Sequence, residues 1–500
     1  MGLLDYIWGP DLKYQVVQMI PIAHLISINK ESNTPVYRQI AVSIIMAVRN
    51  GTLKANAPLP GSRELAKDLG VHRKTVVAAY EELSAQEWIT VVPRKRITVS
   101  EHIPELEPAN WKADEAREGY QRPFELPFRT ILGPTNGETG AAVPELVIDD
   151  GHPDIRLSPI DPLLKTYRAY TTRRYAVKSA NVSSAQGTHL LREEMVKYLS
   201  ESRGLHISID NILVTHGAQM SIYLSAQLLL GAGSNVIVGK PGYPVANMAF
   251  GVTGANILEV DVDENGIDTE AIGLICQKKK IAAVYVIPHH HYPTTVTLSV
   301  ERRMKLLELS RQYNFTIIED DYDFEYHYTS APYLPLASAG HQGNVIYIGS
   351  FSKILGPSIR IGFMIAPKNF VEQCAALRMI IDVGNDSYMQ NALAGLMMDG
   401  ELSRHLKRAR KIYHQRRDFL DGMMHQKLGR FLDYTLPSGG MAIWVRLRPA
   451  FPVTALEHSP LLHIKGVYAR ENAFRFGFAS MNEEELESAV DGIYAILAGL

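Results

Sequence analysis

The densest chemical signal in this 500-residue chain is a lysine set among hydroxyls. Ser350-Phe-Ser-Lys353 is followed by Gly356-Pro-Ser-Ile-Arg360-Ile-Gly362, directly after the β-branched run Val345–Ile348. Such an amine can attack a carbonyl, and Ser350, Ser352 and Arg360 can hold a phosphate, so the segment suits a Schiff base with a phosphorylated aldehyde. Upstream, Ile317-Ile-Glu-Asp320-Asp-Tyr322 sets a carboxylate at the end of another strand-like run. Pyridoxal phosphate needs a carboxylate against its ring nitrogen, because that ion pair keeps the ring protonated and electron-withdrawing. Thr215-His-Gly217-Ala218-Gln219 opens an apolar helix (Ile222 to Leu230), whose first N–H groups are free to face a phosphate. Each segment has an ordinary counterpart: a chance serine–lysine spacing, an aspartate capping a helix, a glycine turn. Their joint occurrence carries the reading.

A second constellation lies near the N-terminus. Between residues 31 and 100 there are ten Lys/Arg and six Asp/Glu, a local excess of +4 in a chain whose net charge is −2. No global basic field therefore holds the chain on nucleic acid, and a DNA-binding surface must be local. Arg63, Arg73, Lys74, Arg94, Lys95 and Arg96 make up that basic cluster. The N-terminal end of a recognition helix would present His72, Arg73, Lys74 and Thr75 to a major groove, where Arg reads guanine and Lys or Thr anchors phosphate. A merely solvated charged face uses the same residues.

The elements that would position these groups follow from periodicity. Val36, Ile40, Ile44 and Val48 define one helix face, and Gly51 stops that helix. A second helix is expected from Ser62, with the serine hydroxyl as its cap, to Gly70. A third is expected from about Arg73 to Ala85, with Val76, Ala79, Tyr80 and Leu83 inward. Two helices joined by a short turn make a helix-turn-helix. Trp88–Val92 and Ile97–Val99, split by Pro93-Arg94-Lys95-Arg96, then read as a hairpin or wing. Residues 101–145 hold Pro104, Pro108, Pro123, Pro127, Pro134 and Pro144 and read as a linker. Beyond it, helical segments alternate with Asn211–Val214, Asn235–Val238, Ala282–Ile287, Thr316–Ile318 and Val345–Ile348, which argues for a mostly parallel, doubly covered α/β sheet.

Composition narrows the class. With 46% hydrophobic and 21% charged residues the chain can bury a large core. Two cysteines, Cys276 and Cys374, exclude a disulfide scaffold and a Cys-rich zinc module, and fit a reducing, cytoplasmic compartment. No apolar run approaches the roughly 20 residues that span a bilayer, and Met1 to Ile20 makes a poor signal peptide. His289-His290-His291 looks like a metal tract in isolation; its place before Tyr292-Pro-Thr294 makes it a loop at the cofactor pocket, and no metal is expected.

Thr34-Pro-Val-Tyr-Arg-Gln-Ile40, Leu59-Pro-Gly-Ser-Arg-Glu-Leu-Ala66, Leu69-Gly-Val-His-Arg-Lys-Thr-Val76 and Ala79-Tyr80-Glu-Glu-Leu83 resemble the winged helix of GntR-type bacterial repressors. Two departures stand out: His72 replaces the usual capping serine, and Arg94-Lys95-Arg96 replaces a Gly-rich wing tip. The lysine, aspartate and glycine segments, with Gly151-His-Pro-Asp154, Gly187, Leu191-Arg192, Arg203-Gly204, Pro241-Gly-Tyr-Pro244, Tyr292-Pro-Thr294 and Arg475-Phe-Gly-Phe478, resemble fold type I aminotransferases. Tyr292 and Thr295 stand where plain aminotransferases have Asn and Gly. Val245 stands where some regulator relatives carry a second effector-binding arginine.

Together the two halves resemble the MocR/GabR subfamily of GntR regulators. The resemblance implies an extension (1–22), a winged helix-turn-helix (23–100), a linker (101–145) and an aminotransferase-like effector and dimerisation domain (146–500). It implies pyridoxal 5'-phosphate held by Lys353, Asp320, Tyr322, Tyr243, Ala218, Gln219, Ser350, Ser352, Arg360 and Tyr292. Arg475 would clamp the carboxylate of an amine or amino-acid effector. Double-stranded operator DNA and a head-to-tail homodimer are the expected partners, and pyridoxal phosphate itself is an alternative signal. A working aminotransferase with an appended DNA-binding domain would use the same residues, and the sequence leaves that alternative open.

Overall fold

The computed structural model describes residues 22–29, 32, 34–92, 96–101, 127, 131, 146–172, 184–328, 334–382, 384, 386–457 and 462–500. The chain divides into two compact units, Met1–Arg129 and Thr130–Leu500.

In the first unit α1 (Val36–Arg49) buries Ile40, Ala41, Ile44 and Ala47 and ends before Gly51, whose φ of +75° suits glycine. β1 (Pro58–Leu59), α2 (Ser62–Asp68) and α3 (Arg73–Ala85) follow. α3 buries Val76, Ala79, Tyr80 and Leu83 against Ile40, Ile44 and Leu65, each larger side chain contributing roughly 1.5–3 kcal/mol. Gly61, not Ser62, is the N-cap of α2, and no side chain caps it. The expected serine cap is corrected: Ser62 is already helical, and its hydroxyl faces Arg73 Nε at 3.5 Å. β2 (Ile89–Val92) and β3 (Arg96–Val99) form the expected hairpin. β1 adds a strand not anticipated from the sequence, giving the order β1-β3-β2.

The second unit opens with β4 (Val147–Ile148) and is built on an eight-stranded sheet. Its strands are β5 (Ile212–Thr215), β6 (Asn235–Lys240), β7 (Asn256–Asp263), β8 (Gly266–Ile267), β9 (Ala283–Val286), β10 (Thr316–Asp321), β11 (Val345–Ser350) and β12 (Gly362–Ile365). Their order is β5-β12-β11-β10-β9-β6-β7-β8. β7, β6, β9, β10 and β11 run parallel, and β12 lies antiparallel between β11 and β5. β5, β9, β11 and β12 are buried along their whole length, as continuous β-branched runs demand in a sheet covered on both faces.

A smaller sheet carries β13 (Leu432–Tyr434), β14 (Ala442–Leu447), β16 (Val467–Tyr468) and β17 (Ala473–Gly477), in the order β13-β14-β17-β16. β15 (His463–Ile464) pairs parallel with β4. β5, β10 and β11 deliver their last residues to one edge of the large sheet, where open α/β sheets place ligands.

Candidate functional site

Beyond that edge lies a cavity of about 220 Å³. Asp320 enters it from the end of β10, and Ser350 from the end of β11. Ser352 and Lys353 follow on the one-turn helix α5 (Ser352–Leu355), after α4 (Ala218–Leu229) has brought Ala218 and Gln219 to its rim. Arg360 approaches on the connection to β12, Arg475 from β17, and Tyr243, Tyr292 and Tyr322 supply aromatic walls. Every residue expected at the cofactor site and the expected effector arginine thus meet in one cavity.

The anion end is built around glycines. Gly217 has φ +83°, and a Cβ there would fall 2.5 Å from Arg360 Nη2; a Cβ on Gly362 would fall 2.5 Å from the Gly217 carbonyl carbon. Only glycines allow the start of α4, Arg360 and β12 to approach this closely. Arg360 donates to Ser352 Oγ at 3.2 Å and to the His216 carbonyl at 3.2 Å, while the Ser352 amide donates to Ser350 Oγ at 3.1 Å. Free N–H groups, two hydroxyls and a guanidinium thus converge at the start of a 12-residue helix.

Opposite them, Asp320 is 3% exposed. Its Oδ2 accepts from the Tyr285 hydroxyl at 2.7 Å, and its Oδ1 is buried with no hydrogen-bonding partner among the described residues. Burial, helped by Asp321 and Asp323, pushes its carboxyl up to about 7. A buried carboxylate with a free oxygen calls for a donor from the cavity side. Behind it lies a dense polar layer. His289 pairs with Asp321, His290 with Asp323 and Arg203 with Glu325, and Tyr347 donates to Asp321. His289, Arg203 and the Tyr347 hydroxyl hold Asp321 down at about 2 against its burial. The expected place of the histidine run at the cavity is corrected: none of the three borders it, His289 and His290 lying in the buried network behind and His291 pairing with Thr294 at 2.8 Å. Among the described residues the run brings no three metal-type ligand atoms together.

Lys353 Nζ donates to the Gly151 carbonyl at 2.6 Å, and burial lowers its pKa from the usual lysine value. Arg475 is 1% exposed. It donates to the Asp150 carbonyl at 2.6 Å, the Pro293 carbonyl at 3.0 Å and the Tyr322 hydroxyl at 3.0 Å. Three of its five N–H donors are used, leaving one on each terminal nitrogen. Tyr292 donates to Asp150 Oδ2 at 3.0 Å, and Tyr243 packs edge-on against it at 5.2 Å. Thr295 sits at φ +60°, the left-handed conformation that a glycine would adopt without strain.

Sequence reasoning missed Asp150 and His152, both of which border the cavity. Gly151-His-Pro-Asp154 was noticed as a family signpost, and the two acidic residues before the glycine were the available signal.

On the first unit, Arg63, His72, Arg73 and Lys74 are exposed and Thr75 is half-buried. His72 itself caps α3, its Nδ1 accepting from the Lys74 amide at 3.1 Å, so the missing serine leaves no uncapped end. Arg96 is exposed at the start of β3; Arg94 and Lys95 lie outside the described residues.

Residues 169–493 match the class I and II aminotransferase family, and residues 36–99 match the gntR family of bacterial regulatory proteins. The HTH-type transcriptional regulator TauR of Rhodobacter capsulatus is 30% identical over 418 residues, covering 80% of this chain and 81% of TauR. The probable rhizopine catabolism regulatory protein MocR of Rhizobium meliloti is 24% identical over 440 residues, 85% of this chain and 84% of that one. The chain belongs to the MocR/GabR subfamily of GntR-type transcriptional regulators. Relatives named as regulators cover both of its halves, which favours this MocR-type regulator over an enzyme with an appended head. Kynurenine aminotransferase of Pyrococcus horikoshii, solved as a crystal structure, shares 27% identity with a TM-score of 0.64, covering 71% of this chain and 91% of its own. Pyridoxal 5'-phosphate is the family's cofactor, and the regulator's pocket fits it. The unpartnered Asp320 oxygen suits a ring N–H, the glycine-lined helix start suits a phosphate, and the half-buried Lys353 amine suits an aldehyde. Among the described residues no helix is long and apolar enough to cross a membrane.

Proposed function

We propose that this MocR/GabR-type regulator senses a primary amine bearing one carboxylate and converts its binding into a change in affinity for operator DNA in the cytoplasm. The observation that carries the reading is the convergence of Lys353, the unpartnered Asp320 oxygen and Arg475 on one cavity. When bound, pyridoxal phosphate supplies an electrophilic carbonyl carbon that condenses reversibly with primary amines. Lys353 would hold the cofactor covalently through Nζ. Asp320 would keep the ring nitrogen protonated, with Tyr285 holding its other oxygen in place. Ser350, Ser352, Arg360 and the first amides of α4 (Ala218, Gln219) would bind the phosphate. Tyr322 would serve the phenolic oxygen, and Tyr243 and Tyr292 would wall the ring's site and exclude water. Arg475 offers its two remaining N–H groups to the effector's carboxylate.

The DNA surface is formed by Arg63, His72, Arg73, Lys74 and Thr75, with Arg94 and the wing adding phosphate contacts. Two chains act as a head-to-tail homodimer. A chain of about 45 residues, were it flexible, would have an r.m.s. span of roughly 35–40 Å, enough to carry each head toward the partner subunit. The effector shifts DNA affinity only as far as it binds the two states unequally.

The test holds the cofactor constant, adds D- and L-amino acids and simple amines, and follows the visible absorbance alongside DNA affinity. Parallel responses to one class of amine are expected. A response to cofactor but to no amine, unchanged in Arg475→Ala, would make the protein a cofactor sensor instead.

A further inference from the structure

The turn after β4 brings to the cavity that holds Lys353 a carboxylate, Asp150, that none of the roles above employs. Asp149 builds this turn: its Oδ1 accepts from the Gly151 amide at 2.8 Å and the His152 amide at 2.9 Å. Gly151 adopts φ +101°, and a Cβ there would stand 3.3 Å from Ala442 Cβ; one on Gly477 would stand 2.2 Å from Asp149 Oδ1. The turn is therefore pressed against β14 and β17 with no room to shift. It presents the Gly151 carbonyl to Lys353 Nζ at 2.6 Å and the Asp150 carbonyl to Arg475 Nε at 2.6 Å.

An ammonium drawn half out of water into a cavity is stabilised by a counter-charge as well as by a carbonyl. The charged groups that act on Lys353 include Asp149, Asp150, Asp323 and Arg475, and His152, when protonated, repels it, with the Tyr322 ring face 5.7 Å away. Asp323 takes His290 on one oxygen and Asp149 takes the turn's own amides, and neither borders the cavity, while Asp320 serves its far side. Asp150 is the carboxylate that borders the cavity on the lysine's side, and it is the strongest opposite charge acting on Lys353. Its side chain borders the cavity, where His152 faces Oδ1 at 3.1 Å and Tyr292 donates to Oδ2. A carboxylate has about four acceptor sites, so capacity remains.

We propose that Asp150 and the Gly151 carbonyl are the docking site of the Lys353 ammonium when the lysine is off the cofactor, making Asp150 the positioning residue that sets how readily an amine displaces it. The inference rests on the reading that Lys353 carries the cofactor. In the exchange, a C–N bond forms from the effector's nitrogen to the cofactor's carbonyl carbon, and the C–N bond to Nζ breaks. Two protons leave the incoming ammonium and two arrive on Nζ, so charge is conserved and a cation appears beside Asp150. Asp150 thus favours the displaced state whatever the rest of the effector looks like. The docking turn continues directly into β4, the strand through which the chain arrives from the linker, so lysine and arginine both act on the peptide next to the linker's attachment.

The experiment uses the full chain with Asp150→Asn, and Asp150→Ser as second variant should the first not fold. In cofactor-free protein, acetylation of Lys353 by acetic anhydride is followed against pH by mass spectrometry. Loss of the carboxylate disfavours the ammonium, so the labelling profile should move to lower pH and labelling near neutrality should speed up several-fold. In cofactor-loaded protein, a methylamine titration, which does not involve Arg475, should show displacement weakened by about tenfold, with Asp150→Glu restoring most of it. An unchanged labelling profile, or methylamine displacement within about twofold of the parent in a folded variant, overturns the proposal. A visible band that persists in Lys353→Ala would overturn the underlying cofactor reading instead, which keeps the two failures distinguishable.

Discussion

Lys353 and Asp320 sit under opposite pressures that the proposed cofactor contacts would relieve together. The lysine is half-buried with its amine on a carbonyl, and the aspartate is buried with one oxygen unmatched. Lys353→Ala should abolish the visible absorbance of the loaded protein, read directly by spectrophotometry. Asp320→Asn allows a sharper test, because its sign is fixed by linkage. The folded carboxyl titrates near 7, against about 3.9 in the unfolded chain. The folded state therefore holds this proton more tightly, and the group's contribution is fully present below about pH 4 and lost as pH rises toward 7. Cofactor-free Asp320→Asn keeps the acceptor for Tyr285 but cannot ionise. It should match the parent near pH 4 and exceed it on the order of 4 kcal/mol near pH 8, by denaturant melts, while retaining cofactor at least about tenfold more weakly. These two residues were legible because their chemistry is written in type and spacing. Asp150 was not, because an acidic pair before a glycine has no chemistry until β17 and Lys353 are folded against it.

At the scale of elements, local signals did well where they were local. α3 spans Arg73–Ala85 with the anticipated inward face, because helical periodicity and the glycine before it are both short-range. β1 went unseen because Pro58–Leu59 is a strand only through its pairing with β3. Ser62 was read as a cap from its type alone, whereas Gly61 already holds the extended conformation one residue earlier, at ψ 150°. His72 does cap, so His72→Ala should cost the first unit about 1 kcal/mol in thermal melts and His72→Ser should recover it. Arg73 lies exposed in the first turn of α3. Arg73→Ala should weaken operator binding by about 1–3 kcal/mol and relax preference at one base pair. Equal losses on all sequences would make it a phosphate anchor.

At the scale of the whole molecule, the second unit carries unusually bare apolar side chains, Ile380 at 83% and Ile155 at 69% exposure. Exposed apolar groups of this size fit a subunit interface, and Ile380→Asp should shift the protein from dimer toward monomer in light scattering without loss of the visible band. The sequence by itself determined the two-part architecture, the lysine and aspartate that meet in the cavity, and the helix-turn-helix, because each is a contiguous pattern a few residues to a dozen long. The parallel run of strands was legible from their alternation with helices. Only the tertiary structure decided that β12 turns back between β5 and β11, that His289 and His290 join a buried carboxylate network behind the cavity, and that Arg475 reaches the pocket with three donors already engaged. Each of these depends on partners over a hundred residues away or on which face of a strand meets the cavity. Local propensity carries no information about either; packing does.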